Sequence, residues 1–208
     1  MAKAFKRKGG RFVAHLDEVE RGVVVGLLEQ TQAFLAPVHR EPTGDTFDDL
    51  VATLGVRRPG ESGTGPGLAP RDPALERLLP TAHREDPEMA AEFRRLTEYG
   101  LRERKTANLA TAIAALRGAD KDKKKNKDED KVEDRVSLDQ EQAQATVVAL
   151  TDVRLLLGER LGLRTDDDAD ALQDRLEAAS EDDPELFLAA YYDFLTWLQE
   201  SLIQALMD

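Results

Sequence analysis

The sequence predicts a mainly α protein, a helical bundle of about five to seven helices with a short N-terminal β-hairpin. Three observations point there. Apolar residues recur at three- and four-residue steps over Ser137–Leu163 (Ala143, Val147, Leu150, Leu157, Leu161) and over Pro184–Met207 (Phe187, Tyr191, Phe194, Leu195, Leu198, Leu202, Leu206). An Asp-Pro pair opens three candidate helices, at Asp72-Pro73, Asp86-Pro87 and Asp183-Pro184. The carboxylate caps free amides, and proline at the first helical position gives up only a donor that has no partner there. Gly9-Gly10 separates two short runs and supplies the positive φ angles of a tight hairpin turn.

Taken in order, residues 1–16 read as the hairpin, with Phe5, Phe12 and Leu16 packing on helices because an isolated hairpin is marginal in water. Asp17 with Glu20 resembles a capping box and opens a helix over Glu18–Leu35, apolar at Val19, Val23, Val24, Leu27, Leu28, Phe34 and Leu35; Pro37 ends it. A short helix over Thr46–Leu54 precedes a flexible loop, residues 55–71, dense in glycine and proline. Helices are expected over Pro73–Leu79 and from Pro87 to about Leu116, the latter with Met89, Phe93, Leu96 and Gly100 on one side and Leu109, Ile113 and Leu116 farther on. Residues 118–135 carry seven cations and seven anions with Val132 as the one sizeable apolar residue, and read as a disordered charged insertion. Its interleaved acids cancel the field of its lysines, against a nucleic-acid-binding tract. Ser137 with Gln140 reads as the capping box of the next helix, and Gly162 as its stop. The wide stripe of the last helix offers more apolar surface than one neighbour covers, which suggests a homodimer through Tyr191, Tyr192, Phe194 and Trp197.

All 208 residues are assigned to a single domain. No cysteine is present, so disulfides, thiolate metal sites and thiol redox chemistry are excluded and a cytoplasmic location is expected. The basic N-terminus runs into no apolar stretch, so neither a signal peptide nor a membrane span is expected. A net charge of −12 opposes sequence-independent DNA binding by the whole protein. That charge is uneven: Lys3, Lys6, Arg7, Lys8 and Arg11 precede the first acid, Asp17.

No catalytic motif stands out. Asp166, Asp168, Asp170, Asp174 and Glu177 match the ligand spacing of a calcium loop, but Ala171 occupies the position that needs glycine, and Leu172, Leu176 and Ala179 continue at helical spacing. A helix capped by Thr165 is the reading adopted. His15, His39 and His83 are scattered, no serine sits in a nucleophile elbow, and no phosphate loop occurs. No metal or cofactor site is expected. Arg94, Arg95, Arg102 and Lys105 on one helix are candidates to pair with Asp152, and Arg154 to meet Asp193, forming an ion-pair network that sets helix register or a surface for a partner. Trp197 reads as core, with an interface role as the alternative.

Five blocks together resemble a known family: DPALERLLP at Asp72–Pro80, AEFRRLTE at Ala91–Glu98, Arg102 with Lys105, TDVRLLLG at Thr151–Gly158 and YDFLTWLQE at Tyr192–Glu200. They are similar to the signature segments of an actinobacterial family of unknown-function domains whose members are called AosR-type oxidative stress transcriptional regulators. The resemblance implies a non-enzymatic cytoplasmic regulator acting through protein contacts, with a sigma factor or the transcription machinery as partner; DNA is expected only via that partner, with the basic hairpin contacting it once the partner has docked. It also implies a second reading, a turnover factor linked to the Clp protease; an unrecognised enzyme is a third. Redox sensing in the family is attributed to a cysteine pair, and the absence of cysteine here excludes direct thiol sensing by this chain.

Overall fold

The computed structural model describes residues 2–36, 72–82, 86–122, 135–180 and 182–208. Among them are three strands, β1 (Lys3–Lys8), β2 (Arg11–His15) and β3 (Arg135–Leu138), and six helices: α1 (Glu18–Leu35), α2 (Pro73–Leu78), α3 (Pro87–Asp122), α4 (Gln140–Arg160), α5 (Asp166–Ala178) and α6 (Pro184–Met207). The fold is mainly α with an N-terminal β-hairpin, as the sequence predicts. The expected helix over residues 46–54, the loop at 55–71 and most of the charged stretch at 118–135 lie outside the described residues.

Local chemistry accounts for the element boundaries. Gly9 and Gly10 both have positive φ, 56° and 78°, the pattern of a type I′ hairpin turn. Asp17 caps α1, accepting from the Glu20 amide at 2.9 Å while the Glu20 carboxylate accepts from the Asp17 amide at 2.9 Å. All three Asp-Pro starts cap as expected: Asp72 accepts from Ala74 N, Asp86 from Glu88 N and Met89 N, and Asp183 from Glu185 N, at 2.8–3.0 Å. At the end of α4, Gly162 (φ 77°) lets Leu163 N donate to Gly158 O at 2.8 Å and its own amide donate to Glu159 O at 3.1 Å, closing the helix with a Schellman motif.

Two expectations need correction. Ser137 does not cap α4. Residues 135–138 alternate in burial, with Val136 and Leu138 buried, and pair antiparallel with β2, so the hairpin grows into a sheet ordered β1-β2-β3. Asp139 with Gln142 is the capping box that opens α4. The charged stretch is also narrower than expected, because α3 runs on to Asp122 and Arg135 begins β3.

α4 is the centre. Its Ala143, Ala145, Thr146, Ala149, Leu150, Asp152, Val153, Leu157 and Gly158 are buried, more than half the way round the helix, and it touches α1, α2, α3, α6, β2 and β3. The main apolar cluster joins Phe5, Phe12 and Leu16 to residues of α1, α3, β3, α4 and α6. The wide stripe of α6 is shared between α4 and β1, with Phe187 and Trp197 left exposed on it. α6 also covers the free edge of β1, where Phe5 N donates to Ser201 Oγ at 3.1 Å. α5 joins the rest through a small satellite cluster of Leu161, Leu172 and Ala189 and through Arg175, which pairs with Glu185 of α6.

Candidate functional site

Of the four cations singled out on α3, one reaches Asp152. Lys105 Nζ lies 2.5 Å from Asp152 Oδ1, with both side chains withdrawn from solvent. Burial pushes the Asp152 carboxyl above the usual carboxylate range, opposed by the hydrogen bond and charge of Lys105. Asp152 Oδ2 has no hydrogen-bond partner in the structure. Arg102 turns to α1 instead, its Nη1 donating to Leu35 O at 2.9 Å while Nε donates to Glu98 at 2.9 Å; the cation thus sits on the negative end of α1. Arg94 stands 4.0 Å from both Glu76 and Glu98, and Arg95 forms a surface fork with Glu92 at 2.7 and 2.9 Å.

Arg154 does not meet Asp193. Its Nη1 donates to Gln199 Oε1 at 2.6 Å, and its guanidinium lies 5.2 Å from the centre of the Tyr192 ring. Gln199 and Tyr192 share one side of α6, seven residues apart, whereas Asp193 is a further 100° or so round the helix and exposed. Buried Gln199 also donates to Val147 O at 2.9 Å and Thr151 Oγ1 at 2.6 Å, so this polar knot pins α6 to α4. Trp197 is not core: it is 38% exposed and stacks on Phe194 with ring centres 6.0 Å apart.

A second network escaped the sequence reading. Glu159, at the C-terminal end of α4, accepts from Arg77 Nε at 3.0 Å and from Arg164 Nε at 3.1 Å, while Arg77 also donates to Leu163 O and Arg160 to the cap residue Asp72. The Arg164 and Arg77 hydrogen bonds hold the Glu159 carboxyl below its ordinary range. Arg77 stands in one of the five blocks, yet no local pattern could pair it with a residue 82 positions on.

The N-terminal half of α3 is built inside out. Arg94, Glu98, Arg102 and Lys105 face the body of the protein, half-buried in the ion pairs above. On the far side, Met89, Phe93, Leu96 and Tyr99 are 51, 45, 65 and 51% exposed, and Gly100 continues the stripe with no atom near where a Cβ would project. Single exposed apolar residues are ordinary; here four large ones lie together on one side, beside the exposed pair of Glu92 and Arg95.

The acidic run is helical: Asp166–Ala178 forms α5, and Asp168 accepts from Arg164 N and Thr165 N at its start. Among the described residues no group of His, Cys, Asp or Glu is arranged to hold a metal, and no helix is long and apolar enough to cross a membrane. An open groove of about 430 Å³ lies between α1 and α3, bordered by the ion pair of Glu29 and Arg117. No curated protein and no solved structure matches the chain. Over residues 2–206, a span that takes in every element described above except the last residue of α6, the sequence matches the family described as Domain of unknown function (DUF2017), and the chain belongs to that family.

Proposed function

We propose that the protein is a non-enzymatic cytoplasmic regulator that binds another protein in the transcriptional response to oxidative stress, with a sigma factor or an RNA polymerase subunit as partner. The observation that carries the protein-binding part is the outer side of α3: four large apolar side chains face outward beside the exposed pair of Glu92 and Arg95, while Arg94, Glu98, Arg102 and Lys105 are drawn toward the body where they cost desolvation. A stripe of Met89, Phe93, Leu96 and Tyr99 runs about 15 Å along the helix, the dimensions of a helix-in-groove contact. The partner class comes from the likeness of the five blocks to AosR-type regulators. With no cysteine in the chain, the redox signal reaches it through the partner.

Affinity capture from cells with the full chain and with a Phe93→Asp/Leu96→Asp variant tests this. Sigma factor or polymerase subunits should be retained by the parent and lost with the variant. Retention of Clp adaptor or protease subunits in their place would move the protein to quality control, and equal capture by both forms would remove α3 from the account.

A further inference from the structure

The three-stranded sheet has one face on the helices, and on the other Lys3, Lys6, Lys8, Arg11 and Arg135 are exposed. Phe5, Phe12, Ala14, Val136 and Leu138 are buried on the inner side. The register brings the outward residues together in rows: Lys3, His15 and Arg135; then Lys6, Val13 and Ser137; then Lys8 and Arg11 at the turn. None of the strand residues is acidic.

These cations give the fold little. Like charges directly opposite one another destabilise a sheet, yet Lys8 faces Arg11 and Lys3 shares its row with Arg135. Among the described residues Lys3, Lys6, Lys8 and Arg135 hold no carboxylate, whereas Arg77, Arg95, Arg102, Arg160 and Arg175 each hold one. Arg11 is fixed in place: its Nε and Nη2 donate to Ser137 Oγ and O at 2.8 and 2.9 Å, laying the guanidinium across the outer face toward β3. Val13, the one large apolar residue in these rows, is only 4% exposed.

The composition of the face selects its partner. Protein interfaces gather aromatic residues, Met and Arg at their centres and are poor in Lys. Membrane-surface segments insert Trp, Phe or Leu, and single-stranded nucleic acids are held by stacking on aromatic rings. A lysine-rich face without Phe, Tyr or Trp fits the phosphate backbone of a duplex. Same-face residues lie about 7 Å apart along a strand and strands about 5 Å apart, so the cations cover roughly 10 by 15 Å, enough to meet phosphates on both sides of one groove.

We infer that the outer face of the sheet, through Lys3, Lys6, Lys8, Arg11 and Arg135, binds the phosphate backbone of double-stranded DNA without reading its sequence. The inference rests on the regulatory reading for its choice of DNA over other duplexes. The acidity of the rest of the chain, net −12 overall, keeps other surfaces off the polyanion and makes the contact weak alone, so that a partner already on DNA supplies the local concentration.

Fluorescence anisotropy of the full chain with two duplexes of unrelated sequence, over about 50 to 200 mM salt, is the test. Both duplexes should bind alike, with log affinity falling against log salt at a slope of about −4, as expected for some five phosphates. Lys6→Gln/Lys8→Gln should make the slope shallower by about 2 and weaken binding at least about tenfold, with a melting curve like the parent's because both side chains are exposed. Arg104→Gln, an exposed cation on α3 away from the sheet, should change neither. Phe93→Asp/Leu96→Asp should lose the protein partner and keep the DNA slope, so the two proposals fail separately. No binding at the lowest salt, an equal loss with Arg104→Gln, or tighter binding to duplex RNA, polyglutamate or anionic vesicles would overturn the inference.

Discussion

Lys105 and Asp152 meet where α1, α3 and α4 converge, and their burial decides what mutation does there. Lys105→Met leaves a carboxylate out of water without its cation, and should cost about 3 kcal/mol in urea unfolding near neutral pH. Pairing it with Asp152→Leu should recover most of that loss, because an apolar pair needs no desolvation of charge; if the double variant stays as unstable as the single, the pair does more than offset its own burial. The pH dependence of this site runs opposite to that of Glu159. Asp152 has a raised carboxyl, so the stability linked to its protonation is complete below the unfolded value, about 3.9, and is lost as pH rises through the folded value. Removing Lys105 raises that folded value further, so Lys105→Met should regain stability as the medium is acidified toward about pH 4. Glu159 has a lowered carboxyl, and its contribution is present above about pH 4.3 and lost as the pH falls through the folded value. Glu159→Gln should therefore cost about 1 kcal/mol at neutral pH, a modest figure because both arginine partners are partly exposed, and nothing in strong acid. In both cases the gap to the parent closes in acid: in the first because the variant gains, in the second because the parent falls. Unfolding curves at three pH values separate the two.

At the scale of elements, α3 carries the sharpest contrast. Leu96→Lys on its outer face should change stability by less than about 0.5 kcal/mol, whereas Leu109→Ala, fully buried on the inner face, should cost about 2 to 5 kcal/mol. A large loss with Leu96→Lys would mean that the outer stripe is covered within the protein. The same helix shows what the sequence could and could not disclose. Met89, Phe93, Leu96 and Gly100 were legible as one side, but spacing alone does not say whether an apolar side turns in or out, and here it turns out because the opposite side holds Arg102 against α1 and Lys105 against α4, with Glu98 paired to Arg102. Helix starts were legible because Asp-Pro and Asp-x-x-Glu act within a single turn. β3 was not, since Arg-Val-Ser-Leu is too short to show its alternation beside Ser137, itself a plausible cap, and its partner strand is over a hundred residues away. Lys105 and Asp152 were each picked out, and the partner of Arg154 was missed, for one reason: residue type signals that a charge is functional or buried, while its partner is set by how two helices are turned against each other.

For the whole molecule, the arrangement of contacts predicts an order of local stability. α4 is enclosed by α1, α2, α3, α6 and two strands, so its amides can open only when the main cluster comes apart. α5 rests on three buried residues, and residues 87–100 of α3 stand largely clear of the body. Hydrogen exchange followed by mass spectrometry should therefore find peptides from 145–157 protected to the limit of global unfolding, with those from 166–178 and 87–100 exchanging through cheaper local openings. The apolar stripe proposed to bind a protein thus lies on one of the least protected helical segments, a combination that lets a partner order the surface it covers. Adding that partner should slow exchange in 87–100 and leave 145–157 unchanged, while adding duplex DNA should slow exchange in the strands alone. If 87–100 were already as protected as α4 in the isolated chain, its outer stripe would be packed against the protein's own residues and closed to a partner.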